Sequence, residues 1–146
     1  MTLIDANLLL YAYIPSSREH GAARHWLEAR LTEPEPVALA WITVLAFLRI
    51  STNPRLYEQP LSINEVSQIV SAWLGRSNVI ILNPGDSHWR ILQHLLAVGQ
   101  ATGHLVTDAH LAALAIEHGA TLASADRDFA RFPGLKLINP LHRIDK

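Results

Sequence analysis

The stretch Val106-Thr-Asp108-Ala-His-Leu-Ala-Ala-Leu-Ala-Ile-Glu-His-Gly119-Ala-Thr121-Leu-Ala-Ser-Ala-Asp126 joins a helical pattern to a strand through one glycine. From Thr107 to His118 it is apolar nearly all round, the pattern of a helix enclosed by neighbours. Gly119 stands where a helix ends in a left-handed residue, a conformation that glycine adopts at no steric cost. Thr121 to Ala123 reads as a short buried strand, with Asp126 just beyond it. A helix feeding a buried strand in this way is half of a βαβ unit.

Further units lie outward in both directions. Thr2 to Ile4, Val37 to Ala40 and Val79 to Leu82 are short apolar runs of strand length, and Leu135 to Ile138 is a candidate fifth. Between them, Ile63, Val66, Ile69, Val70, Trp73 and Leu74 form a 3.6-residue stripe, opened by a Ser62/Glu65 capping box and ended near Gly75. A second stripe of Ile91, Leu92, Leu95 and Leu96 follows Asn83-Pro84-Gly85-Asp86, whose short polar residues are expected to cap it. Ile42 to Ile50 is apolar all round, like Thr107 to His118. The alternation predicts an α/β fold with a mostly parallel sheet of four or five strands covered on both faces.

Bulk composition narrows the chemistry. With 146 residues and 49% of them apolar, one domain spanning residues 1–146 is expected. There is no cysteine, which removes disulfides, thiolate metal sites and cysteine nucleophiles. The net charge of -1 argues against a broad basic nucleic-acid face, so any RNA site must be local. Ten of the 12 cations are Arg, the better bidentate partner for phosphate and carboxylate. The eight histidines fall in no H-E-x-x-H motif and read as solvated or packed residues scattered singly. No basic leader precedes the first strand and no apolar run approaches the roughly 18 residues of a membrane helix, so a soluble, cytoplasmic protein is expected.

In a parallel α/β sheet, helix N-termini and strand C-termini share one edge, where ligands bind. Asp5 directly follows the first strand, Asp126 follows Thr121 to Ala123, and Asp108 opens the helix leading into that strand. All three belong to the same edge. Each has a plainer explanation alone: a first-turn acid for Asp108, turn residues for Asp126 and Asp128. Gathered together they repel one another unless a hard divalent cation, Mg²⁺ or Mn²⁺, lies between them.

Three runs in order, Leu3-Ile-Asp5-Ala-Asn7-Leu-Leu, Val106 to Gly119 and Leu122-Ala-Ser-Ala-Asp126-Arg-Asp128-Phe129, resemble the PIN-domain ribonucleases over nearly the whole chain. The likeness extends to VapC-type toxins of bacterial toxin-antitoxin pairs, through the helix His20 to Trp26 and the stretch Phe47 to Arg49. The resemblance implies a three-layer α/β/α domain with strand order 3-2-1-4-5. It also implies metal-dependent RNA cleavage, a homodimeric toxin of a type II system, and a VapB-like antitoxin partner. Carried over, Asp5, Asp108 and Asp126 match the metal-binding and catalytic aspartates, and Asp128 a second acid near them. Ser124 matches a supporting hydroxyl, and Asn7 the polar partner of a D-x-N pattern.

One departure matters. The family supplies a further acid from the helix after the second strand, in a pattern like Ala-Glu-Leu, where this chain has Ala46-Phe47-Leu48; no Asp or Glu occurs between Glu35 and Glu58. The likeness turns Phe47 toward the metal edge, whereas a core position would leave that helix without a part in the site. Arg49 nearby is either a phosphate clamp or the partner of a buried aspartate. A degenerate domain that binds without cleaving is the alternative function. Other α/β hydrolases fit less well: Asp5-Ala-Asn7 lacks the second acid of D-x-D phosphatases, and no P-loop, G-x-G-x-x-G or G-x-S-x-G motif occurs.

Overall fold

The computed structural model of the protein describes residues 1–141. Five strands, β1 (Thr2–Ile4), β2 (Val37–Leu39), β3 (Val79–Ile81), β4 (Thr121–Ala123) and β5 (Lys136–Ile138), form one parallel sheet of order β3-β2-β1-β4-β5. This is the expected order, with strand ends trimmed by a residue where Ala40 and Leu82 leave the ladder. Six helices connect them: α1 (Ala6–Tyr13), α2 (His20–Thr32), α3 (Trp41–Ser51), α4 (Ile63–Leu74), α5 (His88–Val98) and α6 (Leu105–His118). A short 3-10 helix (Arg127–Arg131) lies between β4 and β5. Among the described residues no helix is long and apolar enough to cross a membrane.

Successive strand residues point to opposite faces, and here both faces are core. Leu3, Ala38 and Leu122 enter one cluster with Leu95 of α5, the alanine-rich α6, Phe129 and Phe132. Ile4, Val37, Leu39 and Ala123 enter the other, with Leu8 and Leu9 of α1, Leu27 of α2, Phe47 of α3 and Trp73 of α4. The small side chains Ala109, Ala112, Ala113 and Ala115 are fully buried and let α6 lie close to the sheet, while its polar residues stand at the Asp108 end, at His110 and in the last turn at Glu117 and His118.

Local signals for helix ends hold at two places. Ser62 accepts from Glu65 N and Glu65 accepts from Ser62 N, the reciprocal box expected for α4. Gly119 ends α6 at φ 68°, in the left-handed region. At α5 the expectation is corrected: Ser87 occupies the cap position and makes no side-chain cap bond. The exposed amides are satisfied from another helix, because the Glu117 carboxylate accepts from Gly85 N at 2.9 Å and Ser87 N at 3.0 Å. The nearby histidines are not all solitary either. Buried His88 meets His110 across the α5–α6 contact, His88 Nε2 to His110 Nδ1 at 3.0 Å.

Candidate active site at the carboxyl edge of the sheet

β1 and β4 are neighbours in register, Ile4 opposite Ala123. The residues that follow them therefore emerge side by side. Asp5 caps α1, its Oδ1 accepting from Ala6 N at 2.8 Å. Its Oδ2 accepts from Ser124 Oγ at 2.7 Å. The same Ser124 oxygen accepts from Asp126 N at 3.0 Å and from Asn7 Nδ2 at 3.3 Å. Asn7 Oδ1 in turn accepts from Ala125 N at 3.4 Å. Asp126 caps the 3-10 helix by accepting from Asp128 N at 2.9 Å. The turn explanation for Asp126 is thus correct as far as it goes, and does not exhaust the residue, which also faces its fellow carboxylates.

Asp108 comes from the first turn of α6. Its Oδ2 is buried and has no hydrogen-bond partner among the described residues. Burial, then the charges of Asp126 and Asp5, push its carboxyl up to about 6, against a smaller opposing pull from His104. The Asp5 carboxyl is also raised, chiefly by burial, with the Ser124 and Ala6 hydrogen bonds opposing and the Asp126 charge adding. Both shifts come first from burial and then from the neighbouring carboxylates, and each favours the neutral acid.

Asp5, Asp108, Thr43, Ala46, Arg49 and Thr107 line one cavity of about 290 Å³, and Asp126 and Ser124 line a second depression, joined to Asp5 by the Ser124 hydrogen bond. Arg49 therefore stands in the cleft wall, exposed, and forms no ion pair among the described residues, which leaves it free to meet an anion. The expectation for Phe47 is corrected. Its ring is fully buried, 5.8 Å from Tyr13 and 4.8 Å from Trp73 between centroids, and faces away from the acids. Ala46, one residue earlier and 100° round the helix, lies with Ile42, Thr43 and Arg49 on the side of α3 that lines the cavity with Asp5 and Asp108.

His104 was not singled out by sequence. It precedes Asp108 by four residues, the spacing that brings side chains together on one helix face, and that spacing was the available signal. Its Nε2 lies 3.9 Å from Asp128 Oδ2. His104, Asp108 and Asp128 offer ligand atoms that all lie within 4.8 Å of one another, the one such group among the described residues. Asp5 and Asp126 lie outside that tight group, their oxygens turned to Ser124, Ala6 and Asp128. Carboxylate oxygens suit a hard divalent cation, and the buried, unpartnered Oδ2 of Asp108, with Asp128 and His104 close by and Asp5 in the same cleft, fits one.

Comparison with known proteins agrees with this arrangement. The PIN domain family matches residues 2–135. Ribonuclease VapC37 of Mycobacterium tuberculosis is 39% identical over 140 residues, covering 96% of this chain and 97% of that protein. Ribonuclease VapC31 of the same organism is 36% identical, over 96% of this chain and 99% of its own length. In fold, VapBC2 from Rickettsia felis, solved bound to a promoter DNA fragment, superposes with a TM-score of 0.68 at 18% identity, covering 94% of this chain and 97% of that one. VapC20 of M. tuberculosis, described as a Sarcin-Ricin loop cleaving toxin, superposes at 0.65 with 14% identity, covering 93% and 99%. With its sheet order, its acids at the carboxyl edge and relatives alike from end to end, the chain belongs to the PIN domain family, among the VapC ribonucleases.

Proposed function

We propose that this protein is the ribonuclease toxin of a type II toxin-antitoxin pair, dependent on Mg²⁺ or Mn²⁺, with a VapB-like antitoxin as its partner. The observation that carries the metal-dependent reading is Asp108: a buried carboxylate oxygen with no partner, in a cleft shared with Asp5, gains a reason only if a cation is bound there. Asp5, Asp108 and Asp126 would hold the ion, with Asp128 and His104, which group closely with Asp108, as further donors. When bound, the cation supplies positive charge to the scissile phosphate and lowers the pKa of a water that acts as nucleophile. Water adds across the phosphodiester, leaving a 5′ phosphate and a 3′ hydroxyl.

The chain's own residues do the positioning. Ser124 and Ala6 hold Asp5 in one rotamer, and Asn7 holds Ser124, so the ligand oxygens are ordered before RNA arrives. Arg49 presents a guanidinium to the phosphate from the opposite wall, which lets a chain of net charge -1 bind RNA locally. Trp41 and Leu45, exposed and one turn apart on α3, give a homodimer an apolar surface to bury. We read the protein as cytoplasmic.

The lack of any carboxylate on the cleft-facing side of α3 favours the alternative, a binding module without cleavage. One experiment separates the two. Purified protein is incubated with single-stranded RNA, with Mg²⁺ or with EDTA, beside Asp5→Asn, and the RNA ends are mapped. Cleavage that requires Mg²⁺ and disappears in Asp5→Asn supports the nuclease. Metal binding measured calorimetrically, with intact RNA throughout, would establish the binding module.

A further inference from the structure

A second cavity of about 320 Å³ is lined by Asn7, Leu10, Tyr11, Ile14, Ser16, Ser17 and Tyr57, and Asn7 ties it to the acids through its hydrogen bond to Ser124, which in turn bonds Asp5. Asn7, Leu10 and Tyr11 lie at the spacing of one face of α1, starting two residues after Asp5, and Ile14 continues the wall from the extended residue that ends the helix. Tyr57 faces this stripe from the loop after α3, the loop that also carries Asn53 and Arg55. Tyr11 is held from behind: its carbonyl accepts from Ser17 Oγ at 3.5 Å and lies 2.9 Å from His20 Nδ1.

The character of the walls selects the occupant. Two half-buried tyrosine rings and two aliphatic side chains offer flat and apolar surface, with hydroxyl groups at the rim. No Lys or Arg lines the cavity. Burial, and then the nearby Glu19, Tyr57 and Asp126, raise the Tyr11 hydroxyl's pKa, so at neutral pH it stays a neutral hydrogen-bonding group, and with no cation in the walls the cavity offers a phosphate no partner. A neutral, planar, hydrogen-bonding group beside a phosphodiester cleft matches a base. We infer that this cavity binds one unpaired nucleobase of the RNA strand, with Tyr57 and Tyr11 as its walls, next to the phosphodiester held in the acidic cleft. It rests on the ribonuclease reading above and adds to it a requirement for single-stranded substrate and a place where sequence preference arises. Single-stranded RNA is commonly recognised by stacking of splayed bases on aromatic rings.

The test uses the Asp5→Asn protein as a non-cleaving background and a short single-stranded RNA, intact or with one base removed at successive positions. Removing the base at one position should weaken binding, and Tyr57→Ala should weaken binding of the intact strand by about 5- to 100-fold, the usual effect of losing one aromatic stack. Tyr57→Ala should also abolish the difference between intact strand and the strand lacking that base, while Tyr57→Trp keeps it. Tyr11→Phe, which preserves the ring, should retain most of the affinity and checks that the wall, not the fold, is being read. If Tyr57→Ala weakens both strands equally or neither, the base subsite is wrong. If the tyrosine variants bind RNA normally but lose a co-expressed antitoxin, the cavity belongs to a protein side chain and the inference is overturned. Wild-type protein that cleaves RNA while the tyrosines have no effect removes only the subsite. Wild-type protein that cleaves no RNA with Mg²⁺ removes the ribonuclease reading as well.

Discussion

Ser124 reaches across the junction of β4 and β1 to donate a 2.7 Å hydrogen bond to Asp5. The two are 119 residues apart in sequence, yet the register of two parallel strands sets them side by side. One hydroxyl thus joins the acid after β1 to the backbone of the acid after β4, because Asp126 N donates to the same oxygen.

Ser124→Ala removes that joint. Asp126 N loses its acceptor and Asp5 one of the bonds that favours its ionised form, so stability should fall by about 1–3 kcal/mol. Mg²⁺ affinity should fall by about 10- to 100-fold, the usual effect of losing a group that orients a ligand. Urea unfolding and calorimetric Mg²⁺ titration read the two effects separately. Lost stability with unchanged metal affinity would reduce Ser124 to a packing residue.

Asp108 makes the metal-free protein sensitive to pH in a defined direction. Its carboxyl is raised from 3.8 to about 6 in the folded state. Between these values the folded chain holds a proton that the unfolded chain has released, so this group's contribution is full below the lower value and is lost as pH rises through the upper one. Asp5 is shifted in the same sense. In EDTA, the urea midpoint of wild type relative to Asp108→Asn should therefore decline from pH 4 to pH 7. Apparent Mg²⁺ affinity should rise over the same interval, because the ion must displace that proton. A difference between the two proteins that stays flat with pH would contradict the buried environment of Asp108.

On α3, two adjacent substitutions should behave oppositely. Phe47→Glu buries a carboxyl among Tyr13 and Trp73 and should cost several kcal/mol, about 3–5 by analogy with loss of a buried Phe before any charge cost. Ala46→Glu places a carboxylate in the cleft with Asp5 and Asp108 and should tighten Mg²⁺ binding with little change in melting temperature. Thermal melts and metal titrations of both proteins decide it. Equal destabilisation by both would mean that Ala46 does not face the site.

The uncompensated acids also predict how a partner silences the enzyme. An Arg or Lys of the antitoxin should enter the cleft and take the position of the cation. Co-expression should relieve growth arrest, and replacing that basic residue with Ala should restore Mg²⁺-dependent cleavage in the purified complex. A complex that cleaves RNA at the full rate of the free protein would rule this out.

The sheet order was legible because short apolar runs alternate with helices and because the family likeness supplies the order. Asp5, Asp108 and Asp126 were legible because strand ends and helix starts share an edge. Which residue of α3 faces that edge was not: a helix apolar all round has no polar side to orient it, and Phe47 and Ala46 are distinguished only by what Tyr13 and Trp73 do to fill the other face. His104 was hidden among solvated histidines, since its significance lies in being four residues from Asp108. The cap of α5 was hidden for another reason, that its donor of order, Glu117, lies 30 residues beyond Ser87.

That cap bears on the order in which the chain assembles. A helix with its own N-terminal partner can begin as a local event, as α4 can through Ser62 and Glu65. The amides of Gly85 and Ser87 meet their acceptor only when the last turn of α6 has formed and docked. During synthesis from the N-terminus, the start of α5 emerges well before its cap exists. Its first turn lacks these two hydrogen bonds until α6, the helix that carries Asp108, lies against it. A chain that stops before Glu117 therefore lacks the acceptor for both amides, and it also lacks Ser124 and Asp126, which the acidic cleft still needs after α6 is in place.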